Sequence, residues 1–162
     1  MSFEPQASVA RVARPPIARA YHDDLRGTPW RRLALHAARD IWCLVDADDY
    51  GWIVANGWNH GWHNKTPWKF YAKRNVGPAR STVYLHREIL FRADPQPANL
   101  LAALHGHHRN GQSLDNRKAN LTWTTVAVNT STRVKRVYVP SLDAIVAQLL
   151  AELPRDDQDL PF

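Results

Sequence analysis

Four residues in one short segment have the side chains that acid–base and metal chemistry needs. They are the adjacent imidazoles His107 and His108 and the amides Asn120 and Asn129, spaced His-His-x11-Asn-x8-Asn within residues 105–133. A neutral imidazole takes a proton from water near pH 7, because its pKa lies there. Imidazole nitrogen and amide oxygen are also donors to a divalent cation, which stabilises charge developing on a phosphate and on a leaving oxygen. Phosphodiester hydrolysis needs an activated water, charge stabilisation and help for the leaving 3′-oxygen. One base and one metal are the minimum that meets this need.

The spacing predicts the elements that would gather these residues. A strand ending at 107–108, a loop through NGQSLDNR and a return strand at 120–125 form a hairpin. A helix beginning near Val126 then carries Asn129 back over the first strand. Gly106 and Gly111 permit the backbone turns, and Asp115 with Asn116 suits an Asx-type turn. Arg109, Arg117 and Lys118 sit where they would meet phosphate rather than read bases.

Upstream, the pattern turns β-like from about Trp30, through RRLAL and then IWCLV at 41–45. In DADDYGWIVANG (46–57), Asp46 or Asp48 can cap a short helix that Gly57 closes. WNHGW, WKFYAKR and STVYLH follow as three strands joined by Gly, Asn and Pro turns. HREILFRAD (86–94) reads as a helix ended by Pro95. Trp42, Trp52, Trp58, Trp62 and Trp68 all fall in this part. Such rings can stack on unpaired bases, but bulk for a small sheet with a thin core is the more common use. His86 and Arg87 could touch nucleic acid, or His86 could be a buried tie between the sheet and the next helix.

The segment HGHHRNGQSLDNRKANLTWTTVAVNTSTR (105–133) resembles the ββα-metal core of HNH endonucleases. VDADDYGWIVANGWNHGW and VYLHREIL resemble the region that precedes this motif in many phage and intron (homing-type) HNH proteins, so the likeness covers about residues 33–135. It implies an α+β fold: a Trp-rich antiparallel sheet leading into a ββα-metal nuclease core, with flexible N- and C-terminal tails. It also implies a metal-dependent DNA endonuclease, encoded by a phage or mobile element and acting in the cytoplasm. By the resemblance, His108 is the general base, His107 and Asn129 are metal ligands, and Asn120 fastens the loop that keeps the base in register. The alternative is an HNH fold kept as a DNA-binding or virion-associated module with little or no catalysis.

One position departs from the usual motif. His107 stands where the family commonly has Asp, so an anionic oxygen ligand has become a neutral nitrogen. That weakens the hold on a hard ion such as Mg²⁺ and suits Mn²⁺, Co²⁺, Ni²⁺ or Zn²⁺. Colicin-type toxin nucleases are similar in having a His-His pair, but their motif ends in His where this chain has Asn129. His105, two residues before His107 on the same strand, could supply a third ligand or be a polar strand position.

Composition sets the frame. With 162 residues and 44% hydrophobic content the chain suits one domain with a real core. The expected division is a basic arm at 1–24, a nuclease domain at 25–136, and a C-terminal helix with an acidic tail at 137–162. No apolar run approaches the ~20 residues needed to cross a bilayer, and the start lacks a secretory apolar core. The single cysteine, Cys43, excludes an intramolecular disulfide and a four-cysteine zinc site, and it fits best as a small buried hydrophobe. Residues 137–162 carry a net −4, which leaves +10 for residues 1–136 out of the total of +6. So basic a body attracts polyanions, and Arg87, Arg133, Lys135 and Arg136 join the candidate phosphate contacts.

At the far end, SLDAIVAQLLAEL (141–153) places Leu142, Ile145, Val146, Leu149 and Leu150 for one helical face, with Ser141 as N-cap. The closing Asp159-Leu160-Pro161-Phe162 resembles the terminal peptide of bacterial single-stranded-DNA-binding proteins. That likeness implies partners that recognise such tails; the plainer reading is a short acidic end.

Overall fold

The computed structural model describes residues 25–63, 66–129 and 138–154, with backbone alone at 62, 63 and 66–68. β1 (Trp30–His36) pairs antiparallel with β2 (Ile41–Asp46), and Asp40 in the left-handed region (φ 54°) turns the chain between them. The unbroken apolar run of β2 has a simple cause: both of its faces are covered. Cys43 and Val45 enter the main core with Leu33, Leu35, Ile53, Leu85 and Ile89. Trp42 and Leu44 point the other way, into a second cluster with Leu25, Ile145 and Val146.

α1 (Ala47–Val54) follows directly, with Asp46 at its N-cap position. The Asp46 carboxylate makes no cap bond there, contrary to the capping expected of it. It accepts instead from the backbone N–H of Lys118 at 2.7 Å, joining the helix start to the distant loop. β3 (Asn59–His63), β4 (Thr66–Val76) and β5 (Ser81–Tyr84) form an antiparallel meander. Gly77, at φ +69°, supports the β4–β5 turn where a side chain would be strained. α2 (Leu85–Ala93) leaves β5 without a loop and buries Leu85, Ile89 and Leu90. A short α3 (Ala98–Leu101), absent from the sequence expectations, connects to β6 (Leu104–His108). β7 (Leu121–Thr125) returns antiparallel to β6, and residues 126–129 are helical (α4).

The expected single Trp-rich sheet is instead two small antiparallel sheets, β1–β2 and β3–β4–β5, beside the separate β6–β7 hairpin. Side chains of the shared core, Leu33 and Cys43 from one sheet and Ala72 from the other, join them. Trp42 and Trp58 are buried, and Trp58 donates to the Ile53 carbonyl at 2.9 Å. Arginines cap the exposed faces of these rings: Arg32 over Trp42, Arg74 over Trp58 and Arg92 over Trp52, at 4.2, 4.9 and 4.1 Å. These three tryptophans therefore pack rather than offer stacking platforms; the side chains of Trp62 and Trp68 lie outside the described residues.

α5 (Leu142–Glu152) begins as expected, Ser141 accepting from the Ala144 N–H at 3.1 Å. It is part of the body rather than a tail, because Ile145 and Val146 complete the cluster behind β2. Leu150, assigned to the same face, is 38% exposed. Among the described residues no helix is long and apolar enough to cross a membrane. The expected basic arm at 1–24 and the acidic end at 155–162 lie outside the described residues, with Arg133, Lys135 and Arg136.

Candidate functional site

The β6–β7 register pairs His107 with Thr122 and His108 with Leu121, so the two adjacent imidazoles leave opposite faces of the hairpin. His107 is half-buried on the face covered by α4. Its Nδ1 donates a hydrogen bond to Oδ1 of Asn129 at 2.9 Å, a residue 22 positions away that α4 brings back across the strand, so a metal held here would replace the Nδ1 proton. Two donors each about 2.1 Å from one ion, at about a right angle, stand about 3 Å apart. The pair thus fits two neighbouring positions of a metal's coordination sphere, one nitrogen and one oxygen, with the other positions left to water and phosphate. His105 faces the same way by register but is exposed. Among the described residues no group of three or more His, Cys, Asp or Glu is gathered closely enough to hold a metal.

His108 faces inward and is 5% exposed. Its Nε2 stands 3.1 Å from Oδ1 of Asn116, itself 1% exposed. An amide oxygen only accepts, so Nε2 carries the proton and Nδ1 keeps its lone pair. The ring lies 4.8 Å from that of His86 and 6.1 Å from that of Tyr71. Burial, opposed by the Asn116 hydrogen bond and reinforced by the charge of Lys69, pushes the His108 pKa down to about 4. Burial, then the neighbouring His108, holds His86 well below its ordinary value as well. Both rings are neutral at pH 7.

Gly106 has a different function from the turn expected of it. Its φ is not positive, and a Cβ there would come within 2.5 Å of His86 Cδ2 and 3.0 Å of its Nε2. Glycine lets the first helical turn of α2 press on β6, which brings His86 against His108. Gly111, at φ +81°, does serve a turn.

The loop between the strands is pinned along its length. Asn120 Oδ1 accepts from the Asn110 N–H at 3.0 Å, and its Nδ2 donates to the Asp115 carbonyl at 2.9 Å. That is the fastening expected of it. Leu44 N–H donates to Leu114 O at 2.9 Å and Asn116 N–H to Leu44 O at 2.8 Å, stitching the loop to β2. Asp115, fully buried, receives both arms of Arg117 at 2.7 Å and the Asn110 amide at 2.8 Å. Arg117 is therefore committed to the loop and not to phosphate as expected. Lys118 is likewise engaged, its Nζ 3.2 Å from Asp49. Arg87 donates to the Leu104 carbonyl at 2.9 Å and lies over the Trp123 ring, holding α2 to the hairpin. Of the expected phosphate contacts among the described residues, Arg109 and Lys118 are exposed.

Sequence reasoning placed His107, His108 and Asn129 on the right elements, put Asn120 in the return strand where it instead ends a short 3-10 helix (Lys118–Asn120), and missed Asn116 as the partner of His108. The signal was present, since Asn116 follows the buried Asp115 in the same turn. Comparison with protein-family models, with curated proteins and with solved structures finds no match.

Proposed function

We propose that this chain is a metal-dependent endonuclease of the HNH type that hydrolyses DNA phosphodiester bonds. One observation carries the proposal: His107 Nδ1 and Asn129 Oδ1 converge to 2.9 Å on the hairpin that also holds a neutral, oriented His108. His107 and Asn129 would hold the divalent ion, which when bound stabilises charge on the phosphate and the leaving oxygen. His108, on the other face of the hairpin and neutral at pH 7 with Nε2 engaged by Asn116, would be the base through its Nδ1 lone pair, a weaker one than a solvated imidazole because burial holds its pKa at about 4. Asn120 keeps the loop closed behind it. The basic body holds the polyanion.

The test is nicking of supercoiled plasmid in Mg²⁺, Mn²⁺, Co²⁺, Ni²⁺ and Zn²⁺, with His108→Ala beside the parent protein. Cleavage that requires a metal and falls at least ~100-fold in His108→Ala is the expected result. Duplex binding without cleavage in any metal would replace the nuclease by a DNA-binding module of the same fold.

A further inference from the structure

The β3–β4–β5 sheet has a core face and an opposite face of unusual composition. On the core face, Ala72, Phe70 and Val83 meet the main cluster, and Arg74 reaches Glu88 of α2. Register assigns the residues of the other face. Asn59 pairs with Lys73 and Lys73 with Tyr84, Gly61 pairs with Tyr71, and Asn75 pairs with Thr82, while Lys69 lies two residues before Tyr71. Asn59, Asn75 and Thr82 are exposed, and Lys69, Tyr71, Lys73 and Tyr84 are half-buried. No Asp or Glu occurs in any of the three strands. Gly61 clears a path for one of the cations, since a Cβ there would fall within 2.7 Å of the Lys73 side-chain end. The Lys73 stem thus lies flat across the sheet.

This face runs into the candidate site. The Tyr71 ring is 5.8 Å from Tyr84, 5.7 Å from His86 and 6.1 Å from His108, while Lys69 lies 5.4 Å above the Tyr71 ring. The charge of Lys69 is felt at both histidines. A surface of cations, amides and tyrosine edges without carboxylates is complementary to phosphate and to base edges.

We infer that this sheet face is the wall along which duplex DNA runs beside the cleavage site. Lys69 and Lys73 neutralise backbone phosphates, and Asn59, Asn75 and Thr82 point toward base edges. The inference rests on the proposed nuclease function and names the surface that function uses.

The test measures binding of a 30-base-pair duplex by fluorescence anisotropy across a salt series, in EDTA so that no cleavage occurs. The parent protein is compared with Lys69→Ala/Lys73→Ala, with Lys69→Arg/Lys73→Arg, and with Arg92→Ala on the α2 side of the sheet. The alanine pair should weaken binding at least ~10-fold and lower the salt slope by about two units. The arginine pair should restore both, and Arg92→Ala should match the parent. Parent-like binding and slope in the alanine pair would overturn the assignment of the face while leaving the nuclease proposal standing. No duplex binding by the parent protein even at low salt would instead overturn the nuclease proposal, and this inference with it. Failure of the arginine pair to rescue, with a native circular-dichroism spectrum, would also overturn it, because a phosphate contact needs the charge more than the exact side chain.

Discussion

At the scale of single residues, His107 is the most consequential choice in the chain. A carboxylate at that position would give a metal a negative, oxygen-donating partner; the imidazole gives a neutral nitrogen, already aimed at Asn129 Oδ1 at 2.9 Å. Hard Mg²⁺ prefers oxygen, whereas Mn²⁺, Co²⁺ and Ni²⁺ accept imidazole readily. Cleavage should therefore be faster in Mn²⁺, Co²⁺ or Ni²⁺ than in Mg²⁺, and His107→Asp should raise the Mg²⁺-supported rate relative to the others, on the order of tenfold. A parent protein that prefers Mg²⁺, together with a His107→Ala variant of undiminished rate, would remove His107 from the ligand set. The types and spacing of His107, His108, Asn120 and Asn129 made the candidate site legible in the sequence, and the structure brings His107 to Asn129. The partners of Arg117 and Lys118 were less so. Asp115 lies two residues from Arg117, but Asp49 reaches Lys118 only through the fold, and a cation read without its partner looks free.

At the scale of elements, the close approach of α2 to β6 decides whether the site can form. Arg87 ties the start of the helix to the strand, and the His86 ring fills the space that a side chain at Gly106 would occupy. Gly106→Ala should push His86 away and cost about 1–3 kcal/mol, by the usual penalty of overpacking, with a lower urea midpoint as the readout. The loss should extend to cleavage, since His108 rests on His86. A variant of parent-like stability would mean that the helix shifts without strain. Element existence was legible because periodicity and punctuation agreed: Pro95 after α2, Ser141 before α5, and strand alternation in β3 to β5. Sheet membership was not. Strand signals do not say which hairpins will share hydrogen bonds, and the Trp-rich stretch that suggested one continuous sheet holds two. The double-sided burial of β2 is legible only in retrospect, from an apolar run that needed α5 on its far face.

At the scale of the whole molecule, the core has been closed around two imidazoles, and this sets its response to acid. His108 falls from 6.5 to about 4 on folding and His86 is lowered well below 6.5, both chiefly by burial. In the window below 6.5 the unfolded chain binds these protons and the folded chain does not. Stability is therefore complete above pH 6.5 and is lost as pH falls toward the folded values, at about 1.4 kcal/mol per pH unit for each ring. His60, also lowered by burial, adds in the same direction, whereas Asp46, raised by burial, acts in the opposite one nearer its own ordinary range. Urea unfolding in EDTA at half-unit steps from pH 7.5 to 4.5 should show a plateau above 6.5 and a decline below it. His86→Gln, which keeps a polar side chain of similar length but cannot titrate, should reduce the slope of that decline by about half, even if its plateau is lower. A slope equal to that of the parent would assign the acid sensitivity to other groups. Stability independent of pH across the window would mean that neither ring is buried in the manner described.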